Sequence, residues 1–325
     1  MESVAIFLMI LGVASQACHQ LLQSFVLRHK VADKNTLLVY QNFVSALMLG
    51  AIAAWYSLEV TNAKVFWIAI AITTFANIFI QYANVRAREL ADLSLTAPIS
   101  AMTPGLVTIA ALSLGEIPGA QGWCGIALIA LGTYIHGRAG ASDLRDYLKP
   151  LAMFKLPSNF KALDRSEREQ VFKDVSAIRW AYVSAMFATL GLIGDGLVAR
   201  NGSVMFGFGL QTLLLGSIFA ASNGRKLSGG VKGSLPKPMV ILTGICYGLQ
   251  IIFVMTAFRF APVGYIGSLK RLSIVLVVVA SFYLLREKKA KWRIVPASII
   301  TVGAMLLFFD DTSGKFIGSI DYLFK

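Results

Sequence analysis

Acidic residues are scarce in this sequence. Only 17 aspartates and glutamates stand against 30 lysines and arginines in 325 residues, and charged side chains of both signs reach just 14%. Soluble domains carry roughly 25% charged and 45–50% apolar residues. Here 56% of residues are hydrophobic and the mean hydropathy is +0.68, which excludes an aqueous globule of this size. Cysteine is nearly missing too. Cys18, Cys124 and Cys246 lie far apart without C-x-x-C spacing, which argues against a disulfide framework or a zinc site. The H-E-x-x-H, G-x-S-x-G and P-loop signatures are also lacking.

What the chain has instead is long apolar runs between short polar breaks. Segments of about 18–25 residues recur, the length an α-helix needs to cross a hydrocarbon core of about 30 Å. They predict ten spans, over 3–27, 36–58, 64–85, 91–114, 118–137, 178–199, 203–222, 238–258, 263–285 and 292–309. The first lacks a basic n-region and is too long for a signal-peptide core, so it reads as a retained helix. The expected fold class is an all-α integral membrane protein.

The excess of cations would suggest nucleic acid in a soluble chain, but here it follows the positive-inside rule. Arg28, Lys30 and Lys34 follow the first span, and Arg86 and Arg88 the third. Four cations from Arg225 to Lys237 follow the seventh span, and five from Arg286 to Arg293 the ninth. With nine more between Arg138 and Arg179, one face collects 23 of the 30, against five on the other. The odd-numbered loops are therefore expected in the cytoplasm and both termini outside. The connector, residues 138–177, reads as a cytoplasmic linker whose DRSEREQVFKDV portion is charged and helical.

The connector separates two similar halves, 1–137 and 178–310, with a tail at 311–325. Ala91 matches Ala261, Glu116 matches Glu287 and Gly132 matches Gly303 when RELADLSLTAPIS… is laid on FRFAPVGYIGSLK…. Five spans per copy is odd, so the second copy enters the membrane inverted, an arrangement that puts a substrate site at the repeat interface near the midplane.

Alanine–proline near the start of spans four and nine, a glutamate closing each (SLGE, LLREKK) and the two-copy, ten-span order resemble the EamA-domain branch of the drug/metabolite transporter superfamily. Lys270, Arg271 and Ser273 reproduce the K-R-x-S sequence of some members. The resemblance implies a secondary transporter of a small metabolite in the cytoplasmic membrane or an organelle, without naming the substrate. The alternative is a non-transporting scaffold or regulator on the same fold.

Lys270 and Arg271 are the sharpest candidates for substrate binding. If span nine enters near Val263, they lie about 10–12 Å down its axis at 1.5 Å per residue. Gly264, Gly267, Ser268 and Arg271 share one stripe, which turns Arg271 to the interior. Three readings stay open: the cations snorkel to the outer interface, they neutralise Asp195, or they hold an anionic group of a substrate. Ser100 stands at the position in span four related by the repeat.

His19, Gln41 and Asn42 line a cavity or join helices, as do Asn77, Gln81 and Asn84 on one face of span three. Asp195 and His19 are candidates to carry a coupling proton, with exchange against a counter-substrate equally open. DGLVAR, at 195–200, matches the core of membrane CDP-alcohol phosphotransferases, but Leu192, Leu213 and Ser217 occupy the positions where further aspartates would hold the metal. The expectation is a transporter, not an enzyme, needing no cofactor or metal. Its partners are a small-molecule substrate and the lipid bilayer.

The cation distribution makes a direct prediction. A cysteine replacing Ser313 should react with an impermeant thiol reagent applied to intact cells, and one replacing Ser228 should not. Reversed labelling would overturn the orientation.

Overall fold

The structure, a computed structural model, describes residues 2–55, 60–97, 99, 103, 106, 119–136, 164–222, 237–257, 263–287 and 290–308. These residues form helices joined by short turns, with one isolated bridge between Val60 and Gly202. In chain order the helices are α1 (Glu2–Arg28), α2 (Lys34–Ala53), α3 (Ala63–Leu90), α4 (Leu93–Thr96) and α5 (Ala120–His136). After the connector come α6 (Arg165–Asn201), α7 (Val204–Ser222), α8 (Pro238–Ala257), α9 (Val263–Leu284) and α10 (Ala290–Phe308).

Polar caps set several helix starts. The Asp33 side chain accepts from the Asn35 and Thr36 amides at α2, and Asn62 accepts from Val65 at α3. Asp164 and Glu167 form a reciprocal capping box at α6. The Glu167 amide and the Ser166 hydroxyl, both donating to Asp164, hold its carboxyl below the usual carboxylate range. That box starts α6 well before the sixth apolar span. The charged DRSEREQVFKDV segment is therefore the first part of a 37-residue helix, not a separate surface piece, because no glycine or proline interrupts it. At 1.5 Å per residue α6 is about 55 Å long, so its polar first turns extend past a 30 Å core.

Six helices, α1, α2, α3, α6, α7 and α8, are long and apolar enough to cross a membrane. Their burial pattern is inverted relative to a soluble protein. Phe7, Ile10, Leu47 and Met186 are all more than half exposed, while Gln41, Asn42, Ser45 and Thr73 are at most 1% exposed. In water this would be costly on both counts; in hydrocarbon it puts lipid-compatible side chains outside and lets polar groups pair within. The protein is an all-α, multi-pass membrane protein.

The most extensive helix contacts join the segment before the connector to the segment after it, although α9 and α10, both after it, also pack along each other. α1 packs along α8, α2 along α7, α3 along α6 and α5 along α10, while α4 meets α9. Small residues allow the close approaches. A Cβ on Gly194 of α6 would sit 2.9 Å from Cβ of Thr73 on α3. One on Gly303 of α10 would sit 2.7 Å from the Gly125 carbonyl and 2.8 Å from the Ile129 amide of α5.

At the end of the bundle where α1 and α3 finish, Glu287 is 1% exposed and accepts from the Leu93 and Ser94 amides at the start of α4, 3.0 Å each. Two otherwise orphaned N–H groups are thereby satisfied by a charge that the helix dipole favours. Arg293 donates to the Ser94 hydroxyl at 2.7 Å and lies 3.7 Å from Asp92, and Arg28 donates to the Leu285 carbonyl at 2.9 Å. Glu287 thus serves as interhelical structure. Its repeat partner Glu116 lies outside the described residues.

The Gly303 contact is with backbone, which cannot swing aside. Gly303→Val should lower the thermal midpoint in detergent by the equivalent of about 1–3 kcal/mol through overpacking. Val302→Ala, at a neighbouring position that is 50% exposed, should change it little. An unshifted midpoint in Gly303→Val would show that α5 and α10 are not in contact.

Candidate functional site

Helix α3 carries a polar stripe through the apolar bundle. Thr73, Asn77, Gln81, Asn84 and Arg88 recur at spacings of three and four, so at 100° per residue they stay on one face. That face borders an internal cavity of about 190 Å³. Pockets for drug-sized ligands run about 300–1,000 Å³, so this one suits a compact metabolite.

Carboxamides dominate the wall. Helix α1 contributes Gln16, Gln20 and Gln23, and α2 contributes Gln41. Gln211 of α7 and Gln250 of α8 face the same space as Asn77, Gln81 and Asn84 of α3. Each carboxamide both donates and accepts, so the lining can match hydroxyl and carbonyl groups of a ligand without adding net charge.

Some of these amides are already tied together. Gln23 Nε2 donates to Gln41 Oε1 at 2.6 Å, and Gln41 Nε2 donates to Gln81 Oε1 at 3.2 Å. Asn42 and Gln81 exchange two bonds, Nδ2 to Oε1 at 2.6 Å and Nε2 to Oδ1 at 3.1 Å. Gln81 also donates to the Tyr247 hydroxyl at 2.9 Å, and the Tyr247 ring stacks on His19 with centroids 4.9 Å apart. Four helices, α1, α2, α3 and α8, are held in register by this chain.

The opposite part of the cavity has charge of both signs. The Thr73 hydroxyl donates to Asp195 Oδ1, and Gln211 Nε2 donates to the Thr73 oxygen at 2.9 Å. Lys270 of α9 lines the same cavity within electrostatic reach of Asp195. Among the described residues no three His, Cys, Asp or Glu side chains gather to hold a metal ion.

The residues singled out from sequence separate into three groups. Lys270, Asp195, His19, Asn77 and Gln81 line the one cavity. Ser273 is fully buried, and its hydroxyl donates to the Lys270 carbonyl at 2.7 Å within α9, which uses it up in the helix. Ser100 lies outside the described residues, as do the side chains of Ser268 and Arg271.

Arg88 is the residue that sequence reasoning misplaced. Counted among the cations of a loop, it belongs to the last turn of α3 and lines the cavity, where its Nη1 donates to Gln23 Oε1. The signal was available, since Arg88 continues the 77–81–84 spacing by one further step of four. Gln16, Gln20, Gln23, Gln211 and Gln250 were also passed over, because single glutamines in apolar runs carry no motif.

The reciprocal Asn42–Gln81 pair is testable by a double-mutant cycle. Asn42→Ala and Gln81→Ala should each destabilise the protein in detergent, with a coupling of about 0.6 kcal/mol and up to roughly 1.7. Strict additivity would mean that the two amides are not bonded to each other.

No protein-family model matches the chain, and no curated protein matches it. Among solved structures, one described only as a crystal structure of a protein aligns over 94% of this chain and 96% of its own, at 16% identity and a TM-score of 0.48. A likeness at that level assigns neither a fold family nor an activity.

Proposed function

We propose that the protein is a secondary transporter of a small polar metabolite, working by alternating access of two inverted five-helix halves in the manner that its EamA-like sequence features imply. The observation that carries this reading is the cavity. A polar, partly open space with Asp195, Lys270, Arg88 and His19 on its wall, set among helices whose outer faces are apolar, carries more charge than holding the helices in register requires.

The helix pairing supports the inverted repeat. Exchanging each helix for its counterpart five places on turns α1·α8 into α6·α3 and leaves α2·α7, α4·α9 and α5·α10 as they are, so these five pairings map onto themselves, whereas α9·α10 has no described counterpart. Repeat-related Gly132 and Gly303 lie in the same α5–α10 interface, Gly132 against Ile300 and Gly303 against Gly125 and Ile129. In this reading the chain crosses the membrane ten times, once per predicted span, the fourth crossing running on from the short α4; the Arg28 end faces the cytoplasm and both termini lie outside.

Lys270 and Arg271 then attract a carboxylate or phosphate of the substrate, with Ser268, Ser273 and Ser100 near them on spans nine and four. Asn77 and Gln81 supply hydrogen bonds, and Asp195 or His19 carries a coupling proton unless transport proceeds by exchange. No catalysis is assigned to the protein, and no cofactor is needed.

Purified protein incubated with a fractionated metabolite extract should retain a compound identifiable by mass spectrometry. The same compound, labelled, should accumulate saturably in vesicles containing the protein and not in empty ones. Arg271→Gln should leave detergent stability nearly intact while weakening binding by about 2–5 kcal/mol. Binding without flux would replace the transporter by a non-transporting scaffold. Full transport by a stable Arg271→Gln protein would sink the anionic role of that residue.

A further inference from the structure

Several described cations at the end of the bundle where α1 and α3 finish have a carboxylate within 4 Å, while Lys34 meets the Tyr82 hydroxyl and ring. Arg28 lies 3.8 Å from Asp92 and 3.9 Å from Glu287, Arg86 lies 2.5 Å from Glu89, and Arg293 lies 3.7 Å from Asp92. Each of these has a carboxylate. Arg88 has none among the described residues; its partner is the neutral carboxamide of Gln23.

Neither the helix end nor the surface accounts for this. A cation in the last turn is favoured by the dipole of α3, yet the dipole does not turn it inward. Arg86, half a turn away, pairs with Glu89, whereas Arg88 lines the cavity and donates to Gln23. A guanidinium has five N–H donors in a planar fork, and one goes to Gln23. The guanidinium is only partly buried and so stays open to an anion from the cavity, and its fork suits the paired oxygens of a carboxylate or phosphate.

Arg88 is also well separated from the other charges of the cavity. Asp195 is held by Thr73, about four turns and roughly 22 Å from Arg88 along α3 at 1.5 Å per residue. Lys270 is within reach of Asp195, so its charge is partly answered in place.

We propose that Arg88 is a second docking point for an oxyanion, a carboxylate or phosphate, of a metabolite in the cavity, separate from the position at Lys270 and Arg271. Gln23 aims the guanidinium, and Gln20 and Asn84 add neutral donors beside it. Calling that metabolite cargo rests on the transport reading; the oxyanion site does not.

The test uses inorganic phosphate as the probe, on the full chain in detergent at constant ionic strength. Phosphate should raise the thermal midpoint of the wild-type protein, and Arg88→Gln should need at least about tenfold more phosphate for the same shift. Arg88→Lys, which keeps the charge and loses the fork, should need a few-fold more. Arg86→Gln should respond as wild type. An unchanged response in folded Arg88→Gln overturns the proposal.

A second measurement needs no variant. Phenylglyoxal should modify Arg88 in the wild-type protein, located by peptide mass spectrometry, and phosphate should slow that modification. Absence of modification, or no slowing, overturns the site, because a docking guanidinium must be reachable. In phosphatidylcholine nanodiscs the protection should come from soluble phosphate and not from added phosphatidylglycerol; protection by the lipid alone would assign Arg88 to a headgroup and overturn the metabolite site. Vesicle flux is measured separately. A phosphate response lost in Arg88→Gln without flux defeats transport and leaves the oxyanion site standing, and flux with an unaltered response does the reverse.

Discussion

A polar side chain in hydrocarbon has no water to bond with, and every other feature of this bundle follows from that constraint. The chain places amides, hydroxyls and charges in helices that face lipid on their other sides, so hydroxyls turn to carbonyls of their own helix and the larger polar groups reach partners on neighbouring helices. Gln41, Asn42, Gln81 and Tyr247 do so by closing a short network across α2, α3 and α8. Because each bond crosses between helices, the network also determines their register. Slipping α2 by one residue would turn Gln41 and Asn42 away from Gln81 and leave several amides unpaired.

The charges obey the same constraint in two ways. Glu287, Arg293, Asp92 and Arg28 form a closed group in which carboxylates meet guanidinium groups or helix-end amides. Such a group ties α1, α4 and α10 together and can be understood as architecture. The groups on the cavity wall are different. Asp195 leans on a threonine hydroxyl, and Arg88 on a carboxamide, so their charges are oriented but not neutralised by those partners. An apolar lining would be more favourable for a protein whose only task was to fold. The contrast between satisfied charges at the helix ends and merely oriented charges in the cavity is the physical basis for reading the cavity as functional.

The cavity also explains why carboxamides, and not more charges, make up most of the polar residues on its wall. An amide presents a donor and an acceptor at a much lower desolvation cost than an ion. Nine of them line the space, and those not tied to one another can meet a polar solute in either orientation. The sites of charge are then few and far apart, Arg88 near one end of α3 and Asp195 near the other.

The membrane class and the positions of the helices were legible in the sequence, because hydrophobic length is a one-dimensional property that bilayer thickness imposes directly. Helices α7, α8 and α9 begin within one residue of their predicted spans for that reason. The stripe of Asn77, Gln81 and Asn84 was legible too, since helical periodicity alone puts them on one face. The length of α6 was not read, because charged residues that continue a helix beyond the bilayer look like a linker until the capping box at Asp164 is seen. Nor was the inward turn of Arg88: an arginine at the end of an apolar run looks like any loop cation, and only the packing of α1 and α3 decides whether it meets water or Gln23. The gathering of Lys270, Asp195, His19 and the glutamines of α1, α7 and α8 around one space likewise belongs to tertiary structure, since it depends on which helices are neighbours and how they are rotated. Composition and periodicity thus determined that the chain is helical and lives in a bilayer; the packing of one half against the other decided which polar groups face each other across the cavity.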